Sequence, residues 1–388
     1  MKPISSSRVP STPIFPTRRN VLRAAGGGIL AASLGVPAWS LAQQAAGAAG
    51  DRKLGFAIVG IGSLSMNQIL PALAKTRLCY AAALVSGHPD KAKAQAEKHG
   101  IDPKNIYNYE NYDSIKDNPA IQAVYVVLPN AMHAEYTVRG AKAGKHVLTE
   151  KPMEVTSAKC REMIEACRTA GKKLMVAYRL RYEPNNMALI DTVQKKVCGD
   201  LKIIEAGAGF MIGDPNQWRL EHSLSGGGCL MDIGVYALNA SRYISREEPV
   251  EVSAFTHRTN GEPRFADPYV EEHCNFQLRF PSGVLASCAS SYSTSLNRFR
   301  ADCTKGWAEV EPALSYKGVK FRYDDRKGDP KTPDVGSVDH FATEMDHFAE
   351  CVASDKEPRT PGEEGLKDLK IIEKLYESAN TGKTVEVV

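Results

Sequence analysis

Three residues that lie far apart in the sequence carry groups suited to moving a proton: Lys151, Asp232 and Tyr236. Lys151 follows a predicted strand and precedes Pro152, which restricts the backbone, although an ordinary turn at a strand end explains a Lys-Pro pair too. A lysine held in a cleft can donate to a hydroxyl and favour the charged form of a neighbouring acid. Asp232 and Tyr236 share a face if their segment is helical, although a capped helix with a half-buried tyrosine explains that spacing too. Together the three suit alcohol oxidation, in which a tyrosine takes the hydroxyl proton while hydride leaves the same carbon.

A glycine motif marks the place where a dinucleotide would bind. The apolar run Phe56 to Val59 predicts a strand that ends at Gly60-Ile61-Gly62, and a helical pattern follows. Such glycines let the backbone turn tightly and approach a pyrophosphate, which the helix N-terminus then binds. Ser65 occupies the third position, where Gly or Ala is usual, and the alternative is an ordinary strand-to-helix turn. The residues expected to line the cofactor here are Gly60, Gly62, Ser63 and Leu64.

The end of the second predicted strand indicates which nucleotide is preferred. Domains that prefer NAD place an acidic residue about 20 residues past the glycines, where it binds the ribose 2′-hydroxyl. Here the strand ends in Ser86-Gly87, and Lys91 lies in the first turn of the next helix. A hydroxyl, a backbone N–H and a cation suit a 2′-phosphate, so we predict NADP. The alternative is that Asp90 performs the acidic role and the lysine is merely solvated.

The order of predicted elements gives the fold class. Strands and helices alternate over residues 54–180, which predicts a Rossmann-type parallel sheet domain. Over residues 181–388 the strands have few helices between them, which predicts an α+β domain with a large, mostly antiparallel open sheet. The predicted strands of this second domain are 201–210, 250–257, 272–280, 283–292 and 307–312. A helix from Ser225 to Tyr243 interrupts them, and the last helix is expected to pack back onto the domain.

Further candidate residues follow strands of the first domain, at the edge where open α/β sheets bind ligands. They include Leu128 and Asn130 after one strand and Glu150 after another. His133 is either a ligand-binding residue or an ordinary helix-start residue. The cluster Tyr178-Arg179-Leu180-Arg181-Tyr182 places two phenol rings and two guanidinium groups at the domain junction. These groups fit sugar binding and interface packing equally well.

The N-terminal residues indicate export. Arg18-Arg19 precede a segment rich in Ala, Gly and Leu that ends in small residues, so residues 1–42 resemble a twin-arginine signal peptide. Residues 43–53 are expected to form a flexible arm. The twin-arginine machinery moves folded proteins, so we expect a periplasmic protein that acquires its cofactor in the cytoplasm.

Composition excludes several classes of protein. The 49 basic and 45 acidic side chains nearly balance, so neither nucleic-acid binding nor stable membrane association is expected. No apolar run is long enough for a transmembrane span. The nine cysteines have no CxxC or zinc spacing, so free thiols and no metal site are expected.

Together these segments resemble the glucose–fructose oxidoreductase and inositol dehydrogenase family, in its glucose–fructose oxidoreductase-like branch. The resemblance covers nearly the whole chain. The motifs that carry it are Gly60-Ile61-Gly62, Leu84-Val85-Ser86-Gly87, Leu128-Pro129-Asn130, His133-Ala134-Glu135, Glu150-Lys151-Pro152, Tyr178-Arg179, Gln217-Trp218-Arg219-Leu220, Gly226 to Tyr236, Ser290 to Thr294 and Thr360 to Gly365.

The resemblance implies roles for these residues. Lys151, Asp232 and Tyr236 would be catalytic, with Tyr236 the acid–base group. Ser86, Gly87 and Lys91 would hold the 2′-phosphate, and Tyr107 would lie near the adenine. The remaining cofactor contacts would come from Leu128, Asn130, His133, Glu150, Lys151, Arg179, Trp218 and Arg219. The sugar would contact Lys151, Arg179, Tyr182, Asp232 and Tyr236.

The resemblance also implies an activity. NADP(H) would be tightly bound, one aldose would be oxidised at C1 to a lactone, and a second sugar would be reduced to an alditol in the same site. The acceptor would be an aldose or a ketose, and the open sheet would form a homo-oligomer, dimer or tetramer. Two alternatives stay open: an NADP-dependent aldose dehydrogenase with exchangeable cofactor, and a non-catalytic binding protein on the same fold.

Overall fold

A parallel sheet of six strands forms the first part of the chain in the computed structural model, which describes residues 53–387. The predicted signal peptide and nearly all of the arm lie outside these residues. The sheet order is β3-β2-β1-β4-β5-β6. Its strands are β1 (Leu54–Val59), β2 (Cys79–Val85), β3 (Ile106–Tyr107), β4 (Ala123–Val126), β5 (His146–Glu150) and β6 (Leu174–Ala177). The order reverses between β1 and β4, and such a reversal opens a crevice at the carboxyl ends of the strands.

Helices connect these strands and cover both faces of the sheet. A π-helical turn, Ser65–Ile69, follows the glycine motif and continues into α1 (Leu70–Leu73). The next helices are α2 (Pro89–His99), α3 (His133–Lys142) and α4 (Ser157–Thr169). β1, β4 and β6 are buried throughout because helices lie on both sides, which explains their continuous apolar sequences. The predicted Rossmann domain is confirmed.

The second sheet has eight strands in the order β13-β12-β11-β7-β10-β9-β8-β14. They are β7 (Leu201–Gly209), β8 (Glu251–His257), β9 (His273–Arg279), β10 (Leu285–Ser291), β11 (Leu296–Cys303), β12 (Gly306–Val310), β13 (Phe321–Asp324) and β14 (Val385–Glu386). β7 and β10 pair in parallel, and all the other pairs are antiparallel. The predicted α+β domain with a mostly antiparallel sheet is confirmed.

Helices cover one face of this second sheet. The helices of this part of the chain are α5 (Pro184–Gln194), α6 (His222–Ser225), α7 (Val235–Ser245), α8 (His340–Ser354) and α9 (Gly362–Thr381), and of these α5, α7 and α9 pack on the sheet. Strand β9 shows the resulting alternation, since Cys274 and Phe276 are buried while Asn275 and Gln277 are exposed. On the uncovered face, Phe255 of β8 is 76% exposed, and Ile203 of β7 and Leu285 of β10 are exposed as well.

The structure corrects three details of the sequence prediction. The helix predicted from Ser225 to Tyr243 is interrupted: α6 ends at Gly226, and a π-helical turn, Leu230–Gly234, precedes α7. Strands β11 and β13 and helix α5 had no predicted counterpart. Helix α8 packs against α1 and β2 of the first domain, whereas α9 packs on both domains.

Candidate active site

The two glycines of the turn after β1 have different surroundings, since Gly60 packs against other backbone and Gly62 borders open space. Gly60 has φ +94°, and a Cβ there would overlap the carbonyl oxygen of Val127, so only glycine fits. Ser65 explains the departure at the third motif position, because its hydroxyl donates to the carbonyl of Gly60 at 2.6 Å and ties the turn to the π-helical turn. A Cβ at Gly62 would meet no heavy atom of residues 53–387 within 4 Å. The backbone at Gly62 therefore borders open space that suits a pyrophosphate.

That space is a cavity of about 310 Å³ at the carboxyl edge of the first sheet. The predicted cofactor residues along its wall are Gly60, Gly62, Ser63, Leu64, Ser86, Lys91, Leu128, Asn130, Glu150, Lys151, Trp218 and Arg219. Asn130 also ties the first domain to the second, since its amide donates to the carbonyl of Ser225 at 2.8 Å. These residues fit a dinucleotide, with a glycine cradle at one end and polar side chains at the other.

The far end of the cavity contains the residues expected near the ribose. Ser86 and Lys91 line it, whereas Asp90 does not. The Ser86 hydroxyl accepts a hydrogen bond from the backbone N–H of His88 at 3.0 Å, which fixes the turn. Tyr109 lines the cavity too, and its ring lies 3.1 Å from where a Cβ on Gly87 would be. This end of the cavity therefore offers a hydroxyl, an amine and an aromatic ring.

Lys151 and Asp232 meet at the centre of the site. The Lys151 amine donates to the Asp232 backbone carbonyl at 2.6 Å and lies 3.4 Å from its carboxylate. The other carboxylate oxygen accepts from Arg219 Nε at 3.0 Å and from the Tyr292 hydroxyl at 3.1 Å. Burial raises the pKa of Asp232, but the charges of Arg219 and Lys151 outweigh it, so that the pKa is lowered overall. Asp232 is therefore an ionised, fully hydrogen-bonded group.

Tyr236 completes the cluster from the first turn of α7. The Lys151 amine lies 4.7 Å from the centre of the Tyr236 ring, a cation–π distance. Burial lowers the pKa of Lys151, but Tyr236 and Asp232 outweigh it, and the net shift is upward. The Tyr236 hydroxyl accepts a hydrogen bond from Arg179 Nε at 3.2 Å. Arg179 Nη2 donates in turn to the carbonyl of Leu314 at 2.6 Å, which fixes the guanidinium.

A second cavity, of about 730 Å³, adjoins the first and is lined by these groups. The two cavities share Ser63, Leu64, Glu150, Lys151, Arg219 and Asp232. Gln217, Tyr236, Arg179 and Tyr316 line only the second cavity of the two. A nicotinamide at the shared wall would therefore face a polar chamber large enough for a monosaccharide.

Glu150 forms part of the floor between the two cavities. It accepts from the Tyr125 hydroxyl at 2.8 Å and from the backbone N–H of Lys151 at 3.2 Å. Burial raises the pKa of Glu150, although Lys151 opposes the shift. Tyr125 and the backbone of Lys151 therefore hold the Glu150 side chain at the wall that the two cavities share.

Besides Gly87, which lines neither cavity but borders the Tyr109 ring, three predicted site residues lie elsewhere. His133 is fully buried, with its ring nitrogens 2.9 Å from the carbonyl of Leu128 and 3.0 Å from that of Pro152, so it holds two loops together. Tyr182 is buried with its hydroxyl on the Met175 sulfur at 3.7 Å. The Tyr107 hydroxyl accepts from Asn118 at 3.0 Å. None of the three is among the residues that line the two cavities.

Sequence reasoning missed three tyrosines of the site. Tyr109 lies two residues beyond Tyr107, and Tyr292 lies inside a motif that carried the family resemblance without a role of its own. Tyr316 lies in a loop, with its ring 4.8 Å from the Arg179 guanidinium. The Ser290 to Thr294 motif was the signal for Tyr292, whereas nothing local in the sequence marks Tyr316.

The fold and the site together define a class of protein: an oxidoreductase with a Rossmann domain and a second, sheet-containing domain. Comparison with known families agrees. Residues 54–178 match the oxidoreductase family with NAD-binding Rossmann fold, and residues 187–309 match the GFO/IDH/MocA C-terminal domain. The chain belongs to the GFO/IDH/MocA family, which confirms the resemblance seen in the sequence.

Two of the similar proteins are named for reactions on sugars. A D-xylose 1-dehydrogenase [NADP(+)] from Haloarcula marismortui is 34% identical over 87% of this chain and 94% of its own length. An aldose-aldose oxidoreductase from Caulobacter crescentus, solved with glycerol, is 45% identical over 86% of this chain and all of its own, with a TM-score of 0.84. A 3-ketoreductase from Actinomadura kijaniata, solved with NADP, is 22% identical with a TM-score of 0.75, which shows the common fold.

Proposed function

We propose that this protein is a sugar oxidoreductase with tightly bound NADP(H), which oxidises an aldose at C1 to a lactone and reduces a second sugar to an alditol by ping-pong hydride transfer. The observation that carries the proposal is the cluster of Lys151, Asp232 and Tyr236 on the wall between a glycine-lined cavity and a polar chamber. The acceptor sugar is an aldose or a ketose.

Each polar residue of the site has a part in this chemistry. Tyr236 takes the C1 hydroxyl proton of the donor sugar and returns a proton to the carbonyl oxygen of the acceptor. Lys151 holds the same oxygen and, through its charge, favours the negative charge that develops there. Asp232 fixes the lysine through an ion pair, and Arg219 holds the Asp232 carboxylate in turn. The overall exchange takes up and releases no proton, because the donor sugar loses the hydride and the proton that the acceptor sugar gains.

The cavity favours NADP over NAD because Ser86 and Lys91 line its ribose end while Asp90 does not. When bound, this cofactor accepts and donates the hydride. Two of the similar proteins are described with NADP, which supports the same preference.

The twin-arginine pattern of residues 1–42 supports a periplasmic location, reached by export of the folded, cofactor-containing protein. Because free NADP is not expected outside the cytoplasm, an exported enzyme of this kind must recycle the cofactor it carries. Within residues 53–387, no helix has the length and apolar character needed to cross a membrane.

The second candidate function is an NADP-dependent aldose dehydrogenase with exchangeable cofactor. The 34% identity to a D-xylose 1-dehydrogenase favours it. It would use the same residues for the first half of the reaction, but reduced cofactor would leave before the next sugar binds.

The open sheet supports a homo-oligomer. Its uncovered face exposes Phe255, Ile203 and Leu285 on three strands, and a second copy of the chain would bury them. The same face borders a groove of about 630 Å³ whose wall includes Asn297, a residue that also lines the sugar chamber. Assembly through this face would therefore lie close to the site.

The nucleotide content of the protein tests the proposal. The purified, untreated protein is denatured, and the supernatant is assayed for NADP(H). We expect one nucleotide per chain, reduction of the bound nucleotide when an aldose is added, and its reoxidation with formation of an alditol when a second sugar follows. Empty protein that turns over only with added NADP would establish the dehydrogenase. Nucleotide-loaded protein that no sugar reduces would refute both.

A further inference from the structure

The loop between β12 and β13 forms part of the wall of the sugar chamber. Leu314, Ser315 and Tyr316 line the chamber, yet residues 311–320 contain no helix or strand. The backbone groups of such a loop must find partners elsewhere, since a buried N–H or C=O without a partner costs free energy. The groups that hold this loop therefore decide where its residues lie in the chamber.

Asn297, the second residue of β11, holds three successive residues of this loop. Its backbone carbonyl accepts the N–H of Ala313 at 3.0 Å, and its side-chain oxygen accepts the N–H of Leu314 at 2.6 Å. Its side-chain nitrogen donates to the Ser315 hydroxyl at 3.2 Å. One asparagine can do this because its side-chain amide has both an acceptor and donors.

The loop in turn holds Arg179. The carbonyl of the buried Leu314 accepts from Arg179 Nη2 at 2.6 Å, and Arg179 Nε donates to the Tyr236 hydroxyl at 3.2 Å. A continuous series of hydrogen bonds therefore joins Asn297 to the Tyr236 hydroxyl.

The Leu314 carbonyl is the anchor that fixes the direction of the Arg179 guanidinium. Arg179 Nη1 is buried without a hydrogen-bond partner among residues 53–387. The guanidinium also contacts the rings of Tyr236, Tyr316 and Phe341, with distances to the ring centres between 4.8 and 5.9 Å. Ring contacts of this kind direct a guanidinium less sharply than a hydrogen bond does. A shift of the Leu314 carbonyl should therefore move Arg179 Nε.

We propose that Asn297 is a positioning residue, which holds the Tyr236 hydroxyl in place through the Leu314 carbonyl and the guanidinium that this carbonyl anchors. The inference rests on the proposed function, since it takes Tyr236 as the acid–base group. A charged donor orients that hydroxyl and favours negative charge on its oxygen while the proton is passed. A displaced guanidinium loses both effects although every catalytic group is still present.

Two substitutions separate positioning from packing. Asn297→Leu keeps the size of the side chain without its polar atoms. Asn297→Asp keeps an acceptor for the Leu314 N–H and a second oxygen to which the Ser315 hydroxyl can donate. We expect Asn297→Leu to lower kcat for aldose oxidation about tenfold to a hundredfold, because a small misplacement of a catalytic group is costly. KM should change far less, and Asn297→Asp should keep most of the wild-type kcat.

Asn380 provides the matched control, because it is an exposed asparagine of α9 that lines neither cavity of the site. Asn380→Leu should leave kcat unchanged. Both Asn297 variants should retain bound nucleotide, since Asn297 does not line the glycine-lined cavity. A lowered kcat in both Asn297 variants together with a lowered Tm would overturn the proposal in favour of a packing role. Wild-type kcat in Asn297→Leu would overturn it as well, and a raised KM with unchanged kcat would mean that Asn297 binds the sugar directly.

A double-mutant cycle tests the route through Arg179. The losses from Asn297→Leu and Arg179→Lys should be less than additive, since both act on the same hydrogen bond to Tyr236. Additive losses would refute the route.

A crystal structure of Asn297→Leu tests positioning without turnover. It should show the Leu314 carbonyl displaced and the contact between Arg179 Nε and the Tyr236 hydroxyl lengthened beyond its 3.2 Å. An unchanged contact would refute the proposal. If no sugar reduces the wild-type protein, the proposed function fails, and this structure still decides whether Asn297 positions Arg179.

Discussion

Tyr236 is the residue whose side-chain chemistry can be tested most directly. Its ring lies beside the Lys151 amine and its hydroxyl on Arg179, so Tyr236→Phe keeps the ring and removes only the hydroxyl. We expect hydride transfer to slow by about 10²–10⁴-fold, the usual contribution of an acid–base group. Lys151→Ala should likewise abolish most turnover. Both rates are measured by following the absorbance of reduced nicotinamide after an aldose is added.

The bound nucleotide serves as the internal check on these variants, since both should retain it. Tyr243→Phe is the matched control: Tyr243 lies on the same helix, but its hydroxyl donates to Glu364 at 3.2 Å and is remote from the Lys151 cluster. Near-normal rates in both Tyr236→Phe and Lys151→Ala would sink the catalytic assignment.

At the residue scale, the sequence revealed the parts of the site that have local spacing. Gly60 and Gly62 flank a single residue, Lys151 precedes a proline, and Asp232 and Tyr236 are one helical turn apart. Tyr292 and Tyr316 reach the site only because the second sheet and its loops fold back over the first domain. His133 shows the opposite error, since its position at a helix start by the cleft predicted a ligand contact, yet three backbone carbonyls surround its ring.

The turn after β1 makes different demands on its two glycines. Gly62→Ala should leave the Tm nearly unchanged, because its Cβ enters open space, yet that Cβ should obstruct the pyrophosphate and lower NADP retention. Gly60→Ala should lower the Tm as well, because its Cβ meets the Val127 carbonyl at a positive φ. Thermal unfolding and nucleotide content of both variants check this. Full retention of NADP in Gly62→Ala would contradict the placement of the pyrophosphate.

The segment that carries Asp232 depends on a buried acid in a neighbouring loop. Glu271 accepts the backbone N–H groups of Gly228 at 2.8 Å and Leu230 at 2.7 Å, and the Tyr376 hydroxyl at 3.1 Å. Burial nevertheless raises the pKa of Glu271 from 4.5 to about 7. The folded state therefore binds a proton more tightly than the unfolded chain does.

Because the pKa of Glu271 is higher in the folded state, the protein should become less stable as the pH rises. The stabilising contribution of protonated Glu271 is complete below about pH 4.5 and is lost as the pH rises through about 7, so the free energy of unfolding should fall by roughly 3 kcal/mol across that range. Denaturant unfolding at several pH values measures it. Glu271→Gln should remove this fall, and an identical pH slope in wild type and variant would refute the assignment.

At the element scale, the sequence predicted strands with simple apolar patterns and missed those with charged ones. β4 is buried on both faces and is apolar throughout. β11 alternates Phe299 and Ala301, which are buried, with Arg298 and Arg300 on the open face, so its sequence looked polar. Those arginines are held by Glu205 and Glu309 from neighbouring strands, partners that only the sheet register reveals.

At the scale of the whole molecule, the open sheet face should decide the oligomeric state. Phe255→Glu places a charge on the uncovered sheet face where a second copy would bury Phe255, so it should convert the oligomer to monomers. Tyr269→Glu is the control, because Tyr269 is 70% exposed outside the strands of the sheet. Light scattering of wild type and both variants gives the masses. A monomeric wild type, or an oligomer that survives Phe255→Glu, would place the interface elsewhere.

The two-domain arrangement could be predicted because alternating and consecutive strands leave different sequence patterns. The return of helix α8 to the first domain could not be predicted in this way. Helix α8 packs on the first domain although residues 181–339 lie between. Only tertiary contacts fix it there, such as the hydrogen bonds that the Asp346 carboxylate accepts from the backbone N–H groups of Arg77 and Leu78.

The two π-helical turns, Ser65–Ile69 and Leu230–Gly234, both lie where the backbone meets the cavities. A π turn holds one residue more than the α-helical turn it replaces. Deleting one residue there should therefore be absorbed locally, whereas the same deletion within α7 would rotate all later residues of the helix by about 100°. A deletion in the Leu230–Gly234 turn should leave a folded protein whose Asp232 no longer points at Lys151. At these two turns, a one-residue deletion should therefore preserve the fold but disturb the chemistry.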